Sequence, residues 1–301
     1  MYSVLTAMHV VRRLQRLSVL VLFLPTVGAT QINPSNSTAP SASTIQILIN
    51  ASDKHGNTVS LSRSSLEVYA DKKLIQIEEL KPAAGAPLRF VLLLDLSGSN
   101  VDKLEFEKKA AAQIFEALSQ GNNAGYFGWF NQRVAISAHP MQLSEVNQFL
   151  RNAKTGGGTA LYDAIAQASE QQLHRTNASS SVRRVLFVIT DGEDSQSHIA
   201  ASDAAKTAQR QGVPIFSLCL LSSSPRATGG AVVKKLAHDT GGNAVVLDSP
   251  KEFLKKLLQP LVTQYFLIFA PPPSKQRLTP LEIKSSDHSI EIAAPSGYST
   301  D

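Results

Sequence analysis

From residue 88 to 264 the chain alternates between two hydrophobic patterns. Phe90-Val-Leu-Leu-Leu94, Val185-Leu-Phe-Val-Ile189 and the stretch 214–220 are near-continuous apolar runs, the pattern of strands buried on both faces. Residues 125–130 and 243–247 predict two further strands, and 134–138 a short one. Between them the apolar positions recur at helical spacing over 102–118, 144–152, 160–174, 199–211, 232–240 and 250–258. Strands that alternate with helices in this way predict an α/β fold with a doubly wound, mostly parallel sheet.

The flanks have a different texture. Residues 44–50 predict a strand, Asp53-Lys-His-Gly-Asn57 a turn, and 66–69 and 74–80 two short strands around Asp71-Lys-Lys73. This N-terminal β unit, 44–87, closes in the Pro82 to Pro87 linker. After Gln264 the helices stop, and 265–269, 281–284 and 289–292 predict short strands around Pro271-Pro-Pro273. The C-terminal strands, 265–301, are expected to pack with 44–87 as one small β domain, because chain ends often lie close together. Two independent β appendages are the alternative.

The first residues carry an address. Arg12, Arg13 and Arg16 precede the apolar run Leu17 to Leu24, which exits through Val27-Gly-Ala29. That order predicts a signal peptide over 1–29, with a Ser-, Pro- and Asn-rich linker over 30–43, and a periplasmic or extracellular protein. An N-terminal membrane anchor is the alternative, but the run falls short of the roughly 20 residues that span a bilayer. No membrane span is expected after cleavage. The formal charge of +5 falls accordingly, since removing three of 29 basic residues leaves 26 against 24 acidic ones. No basic face with interleaved aromatics emerges, which argues against nucleic-acid binding. Cys219 is the sole cysteine, so core packing and not an internal disulfide must hold the fold.

Three segments fall where strands end, the edge at which open α/β sheets bind ligands. Asp95-Leu-Ser97-Gly-Ser99 follows the strand 90–94, and in so tight a turn Asp95, Ser97 and Ser99 can direct oxygens at one point. Gly156-Gly-Gly158-Thr159 puts the Thr159 hydroxyl on a glycine-rich loop before a helix. Thr190-Asp191-Gly192 ends the strand 185–189. Two carboxylates and three hydroxyls make five hard oxygen donors, suited to Mg2+, with Mn2+ or Ca2+ also possible. Ca2+ generally asks for more carboxylate or carbonyl oxygen. Each segment alone reads as a helix cap, a loop or a turn; their order along one sheet edge points to a cation.

Asp95-Leu-Ser-Gly-Ser99, Gly158-Thr159-Ala-Leu-Tyr-Asp-Ala164 and Ile189-Thr-Asp-Gly192 resemble the metal-ion-dependent adhesion site of von Willebrand factor type A domains, over about 90–264. The resemblance implies a metal held by Asp95, Ser97, Ser99, Thr159 and Asp191, and a protein ligand whose Asp or Glu completes the shell. Asn100 stands where many relatives place Met, a position that is not a ligand. The flanking segments 53–57, 66–73, 264–269 and Ser296-Gly-Tyr298 are similar to exported von Willebrand factor A-related proteins of Acidobacteria.

Catalysis finds less support. The serines lie in Leu96-Ser-Gly-Ser-Asn100 and not in a Gly-x-Ser-x-Gly elbow, and no lysine follows Gly156 to Gly158 as a phosphate loop requires. His139, His174, His198 and His238 lack metal-ligand spacing, and Glu193 and Asp194 read as a solvated loop. The expected function is metal-dependent protein binding or adhesion. The alternative is a structural or assembly subunit of an envelope complex, in which the cation only stabilises loops.

Overall fold

The computed structural model describes residues 44–57, 59–174, 181–221, 228–247 and 252–300. The expected signal peptide and the linker before residue 44 lie outside the described residues. No helix among those described is long and apolar enough to cross a membrane.

The first strands are β1 (Ile45–Asp53), β2 (Leu66–Ala70), β3 (Lys73–Ile75) and β4 (Ile77–Pro82). A six-stranded sheet follows, built from β5 (Leu88–Asp95), β6 (Ala124–Phe130), β7 (Val134–Ile136), β8 (Arg183–Thr190), β9 (Ile215–Leu220) and β10 (Asn243–Leu247). Its order is β10-β9-β8-β5-β6-β7, parallel throughout except for the β6–β7 pair. Among the described residues six α-helices flank it: α1 (Leu104–Leu118), α2 (Leu143–Asn152), α3 (Leu161–Gln171), α4 (Ala201–Gln211), α5 (Gly229–Thr240) and α6 (Phe253–Val262). Thus the fold is a mixed, mostly parallel sheet between helices, with additional antiparallel sheets.

The continuous apolar runs have a direct physical reason. Along β5, Phe90, Leu92 and Leu94 point into a core shared with α1, α2 and α6, while Val91 and Leu93 point into a second core under α3, α4 and α5. Burying each such side chain contributes about 1.5–3 kcal/mol, so both faces select against polar residues. Phe90 meets Phe115 edge-on at 5.3 Å and Phe187 at 6.3 Å, tying α1 to the centre of the sheet.

The remaining strands are β11 (Gln264–Phe269), β12 (Thr279–Ser285), β13 (Ile290–Ala293) and β14 (Gly297–Tyr298). They pair with the N-terminal ones in two four-stranded sheets, ordered β13-β1-β11-β4 and β14-β12-β2-β3. The two sheets share a core of Ile47, Ile49, Val68, Leu267, Phe269 and Tyr298. The stretch 74–80 is not one strand: it breaks at Gln76, so β3 joins β2 in one sheet and β4 joins β11 in the other. Buried Arg183 bridges the segments entering and leaving the central sheet, donating to the carbonyls of Ala86 (3.1 Å) and Leu261 (3.0 Å).

Several helix bounds differ from the sequence pattern by a few residues, among them the end of α3 at Gln171 and not 174, and two of the differences have a visible cause. Helix α6 runs to Val262, through Pro260, instead of ending near 258. Proline removes the donor that would meet the Lys256 carbonyl, and the Asn243 side-chain amide takes that place at 3.2 Å. Helix α5 starts at Gly229, not 232, because the Glu193 carboxylate accepts from the Thr228 and Gly229 amides at 2.7 and 2.8 Å.

A candidate metal centre at the carboxyl edge

The parallel register sets two carboxylates side by side. Leu94 of β5 pairs with Ile189 of β8, so the next residues, Asp95 and Thr190, adjoin at the strand ends. The Thr190 hydroxyl donates to Asp95 Oδ2 at 2.7 Å, and the Ser97 amide to Asp95 Oδ1 at 2.9 Å. Asp191 follows directly. Asp95 and Asp191 are 0% and 1% exposed.

Three loops bring the other donors to this edge. The first turns at once into a short 3-10 helix, Gly98–Asn100, with Ser97 as its N-cap; the Ser97 and Ser99 hydroxyls lie 3.1 Å apart. Ser97 is buried, whereas Gly98 and Ser99 are exposed on the rim. The second loop is bonded to the first: the Gly98 amide donates to the Gly157 carbonyl (3.0 Å), and the Gly156 amide to that of Leu96 (2.8 Å). Gly157 has φ +82°, which leaves its carbonyl free to face Gly98 and disfavours any other residue there. Thr159, buried two residues before α3, is held by the third loop: its amide donates to Ser195 Oγ at 3.1 Å, and its carbonyl accepts from the Ser195 and Gln196 amides.

The third loop is pinned on both sides. Asp194 accepts from the Ser197 hydroxyl (2.6 Å) and, at 3.3 Å, from the Tyr162 amide at the start of α3. Glu193 caps α5 as described. These half-buried carboxylates are structural anchors of the loop, a role the solvated-loop reading of the sequence missed. Gly192 and Gly229 meet backbone to backbone: a Cβ on Gly229 would fall on the Asp191 carbonyl.

Burial pushes the Asp95 carboxyl up to about 6, against the bonds from Ser97 and Thr190 and with the charge of Asp191 adding to the rise. Asp191 Oδ1 accepts from the Glu193 amide at 3.2 Å, but Asp191 Oδ2 is buried and has no hydrogen-bond donor. The nearest cation to it is the Lys103 ammonium at 3.8 Å, itself bonded to the Leu220 carbonyl at 2.9 Å. Two buried carboxylates, one of them with a bare oxygen, beside paired hydroxyls are a donor set that fits a small hard cation. Among the described residues, no three His, Cys, Asp or Glu side chains gather as an alternative cation site.

Sequence reasoning named Asp95, Ser97, Ser99, Thr159 and Asp191, and the three loops carrying them meet at one edge. It missed Thr190, Lys103 and Glu107. Glu107 had a readable signal: it falls three, four, seven and eight residues before Ala110, Ala111, Ile114 and Phe115, on the apolar face of α1. There it is 0% exposed, and neither carboxyl oxygen has a partner.

The family model of the von Willebrand factor type A domain matches residues 90–260. Comparison with curated proteins finds no match. Among solved structures, the conserved hypothetical protein BatB from Bacteroides thetaiotaomicron is 20% identical, with 58% of this chain and 97% of that chain covered and a TM-score of 0.48. An aerotolerance-related membrane protein from Bacteroides fragilis, carrying multiple mutations to serines, is 20% identical over 58% of this chain and 98% of its own, TM-score 0.47. A von Willebrand factor type A protein from Catenulispora acidiphila is 11% identical over 87% and 76%, TM-score 0.49.

Proposed function

Because the chain belongs to the von Willebrand factor type A domain family, we propose that it is an exported binding module that captures a carboxylate of a protein partner through a divalent cation. In this reading Asp95, Ser97, Ser99, Thr159 and Asp191 hold Mg2+, with Mn2+ or Ca2+ as substitutes. The observation that carries it is the bare Asp191 Oδ2, buried beside Asp95 at an edge where the Ser97 and Ser99 hydroxyls lie 3.1 Å apart. Nearly every buried polar oxygen in a folded protein has a donor, so one without invites a cation. Two carboxylates bring the dication only to formal neutrality, and with three neutral hydroxyls they make five donors, one short of the six that Mg2+ usually takes. The sixth position suits an Asp or Glu offered from outside, and the exposed rim at Gly98 and Ser99 leaves an approach.

The basic, apolar and small-residue order of the first 29 residues supports export. The motifs of the flanking strands support the narrower kinship with exported von Willebrand factor A-related proteins of Acidobacteria. The geometry also favours binding over catalysis, since Glu193 and Asp194, the carboxylates nearest the centre in sequence, are engaged as helix and loop anchors.

Affinity capture from extracytoplasmic extract tests the reading, with wild type and Asp95→Ala, in Mg2+ and then in chelator. A protein retained only by wild type in Mg2+ is the expected result. Equal capture under all four conditions overturns it and leaves the scaffold reading, in which the cation merely stiffens loops.

A further inference from the structure

Helix α1 and the turn before it carry a polar stripe on an inward face. The Lys103 amide donates to the Asn100 carbonyl, and the Glu107 amide to that of Lys103, both at 3.0 Å. Asn100, Lys103 and Glu107 therefore follow at spacings of three and four and share one side of the helical path. Asn100 and Glu107 are each 0% exposed, and all four polar atoms of their side chains lack a partner. The positions that continue this side, Ala110, Ala111, Ile114, Phe115 and Leu118, are buried and apolar. Buried polar atoms left unpaired are destabilising, and an apolar residue at either position would remove that penalty. Lys103 stands between the two orphans in sequence, yet its ammonium bonds to neither; it donates to the Leu220 carbonyl and lies 3.8 Å from Asp191 Oδ2.

We infer that Lys103 is a resident counter-ion of the metal centre, which neutralises Asp191 when no cation is held and turns to Glu107 and Asn100 when one is. The inference rests on the metal-centre reading above. Asp191 Oδ2 cannot serve an ammonium and a divalent cation together, since the two positive charges would repel across a few ångströms in a buried setting. Lys103 has a flexible four-carbon stem, and Glu107 lies one helical turn on, at the i+4 position. Glu107 offers an acceptor oxygen whether or not it carries a proton, and the Asn100 amide offers another. The orphans of the present arrangement thus become the partners of the other one, and Lys103 is a positioning residue that sets cation affinity without binding the cation.

Calorimetric titration of the full chain with Mg2+ tests this, using wild type, Asp95→Ala, Lys103→Met, Glu107→Leu and Glu107→Gln. Removing the competing ammonium in Lys103→Met should tighten Mg2+ binding on the order of tenfold. Glu107→Leu removes the alternative partner and should weaken binding several-fold, although it replaces an unpaired buried carboxyl by an apolar group and should not impair folding. Glu107→Gln keeps an acceptor oxygen and should bind like wild type. A general structural disturbance would weaken binding in both the Lys103 and the Glu107→Leu variants, so opposite signs are diagnostic. Affinity unchanged or weakened in Lys103→Met, or unchanged in Glu107→Leu, overturns the exchange while the metal centre stands. Indistinguishable titrations of wild type and Asp95→Ala overturn the metal centre and the exchange with it.

Discussion

Removing the Glu107 carboxyl should change how stability depends on pH, in a way that can be worked from the structure. Burial, reinforced by the charges of Asp95 and Asp191 and opposed by Lys103, pushes this carboxyl from 4.5 up to about 8. In the folded protein it holds its proton at neutral pH, whereas in the unfolded chain it has already lost it. The folded state therefore binds more protons than the unfolded one between the two values, and stability falls as pH rises from about 4.5 and levels off above about 8. At 1.36 kcal/mol per unit, the loss is roughly 3 kcal/mol by pH 7 and roughly 5 kcal/mol in full. Against a typical stability of about 5–15 kcal/mol this is a large share. Asp95, raised to about 6, adds its own fall between about pH 4 and 6. That contribution is common to wild type and Glu107→Leu, so the difference between the two proteins isolates Glu107. Urea unfolding in chelator, followed by circular dichroism at pH 5, 7 and 9, should show Glu107→Leu gaining several kcal/mol over wild type as pH rises. Parallel stability curves would refute the assignment of a buried neutral acid at this position.

Two other expectations concern the same edge of the sheet. Gly229→Ala sets a methyl against the backbone of Asp191 and Gly192, atoms that cannot yield as a side chain can, and should cost about 1–3 kcal/mol in thermal unfolding; Gly85→Ala, with open space around it, is the silent control. Cys219 is fully buried, its thiol pushed up to about 12 chiefly by burial, so a thiol reagent at pH 8 should label it only when the protein unfolds, and rapid native labelling would contradict its place in the core.

The central strands were legible because burial on both faces leaves an uninterrupted apolar run, and β5 alternates between two cores without a polar break. Four of the five proposed cation-holding residues were named for a related reason, since Asp95, Ser97, Ser99 and Asp191 follow the end of such a run, whereas Thr159 was named from its glycine-rich loop. Other features depend on partners remote in sequence. Nothing near Pro260 announces that Asn243 will satisfy the carbonyl it leaves bare, and nothing near Gly229 announces the Glu193 cap. The alternation across 74–80 says which residues face inward but not that the chain changes sheets at Gln76, because both sheets line one core. Leu74, 65% exposed, shows that an apolar residue there need not be inward at all. Glu107 was visible as a charge on an apolar helix face; its meaning required knowing that this face runs up to two acidic strand ends.

The pairing of β4 with β11 has a consequence for the order of folding. Tyr265 lies opposite Pro82, although the whole six-stranded sheet and its helices intervene in the chain. Were that intervening segment an unfolded loop, closing it would cost about 5 kcal/mol of chain entropy, from (3/2)RT ln n at its length. Once the sheet has formed, its incoming and outgoing ends are already held together through Arg183, and most of that entropy has been spent. During synthesis β1 and β4 emerge first yet must wait, since β11 is the strand on which both of them pair, whereas β2 and β3 pair with each other locally. The two flanking sheets therefore assemble last, and a chain stalled before residue 264 would present finished central packing beside unpaired strand edges.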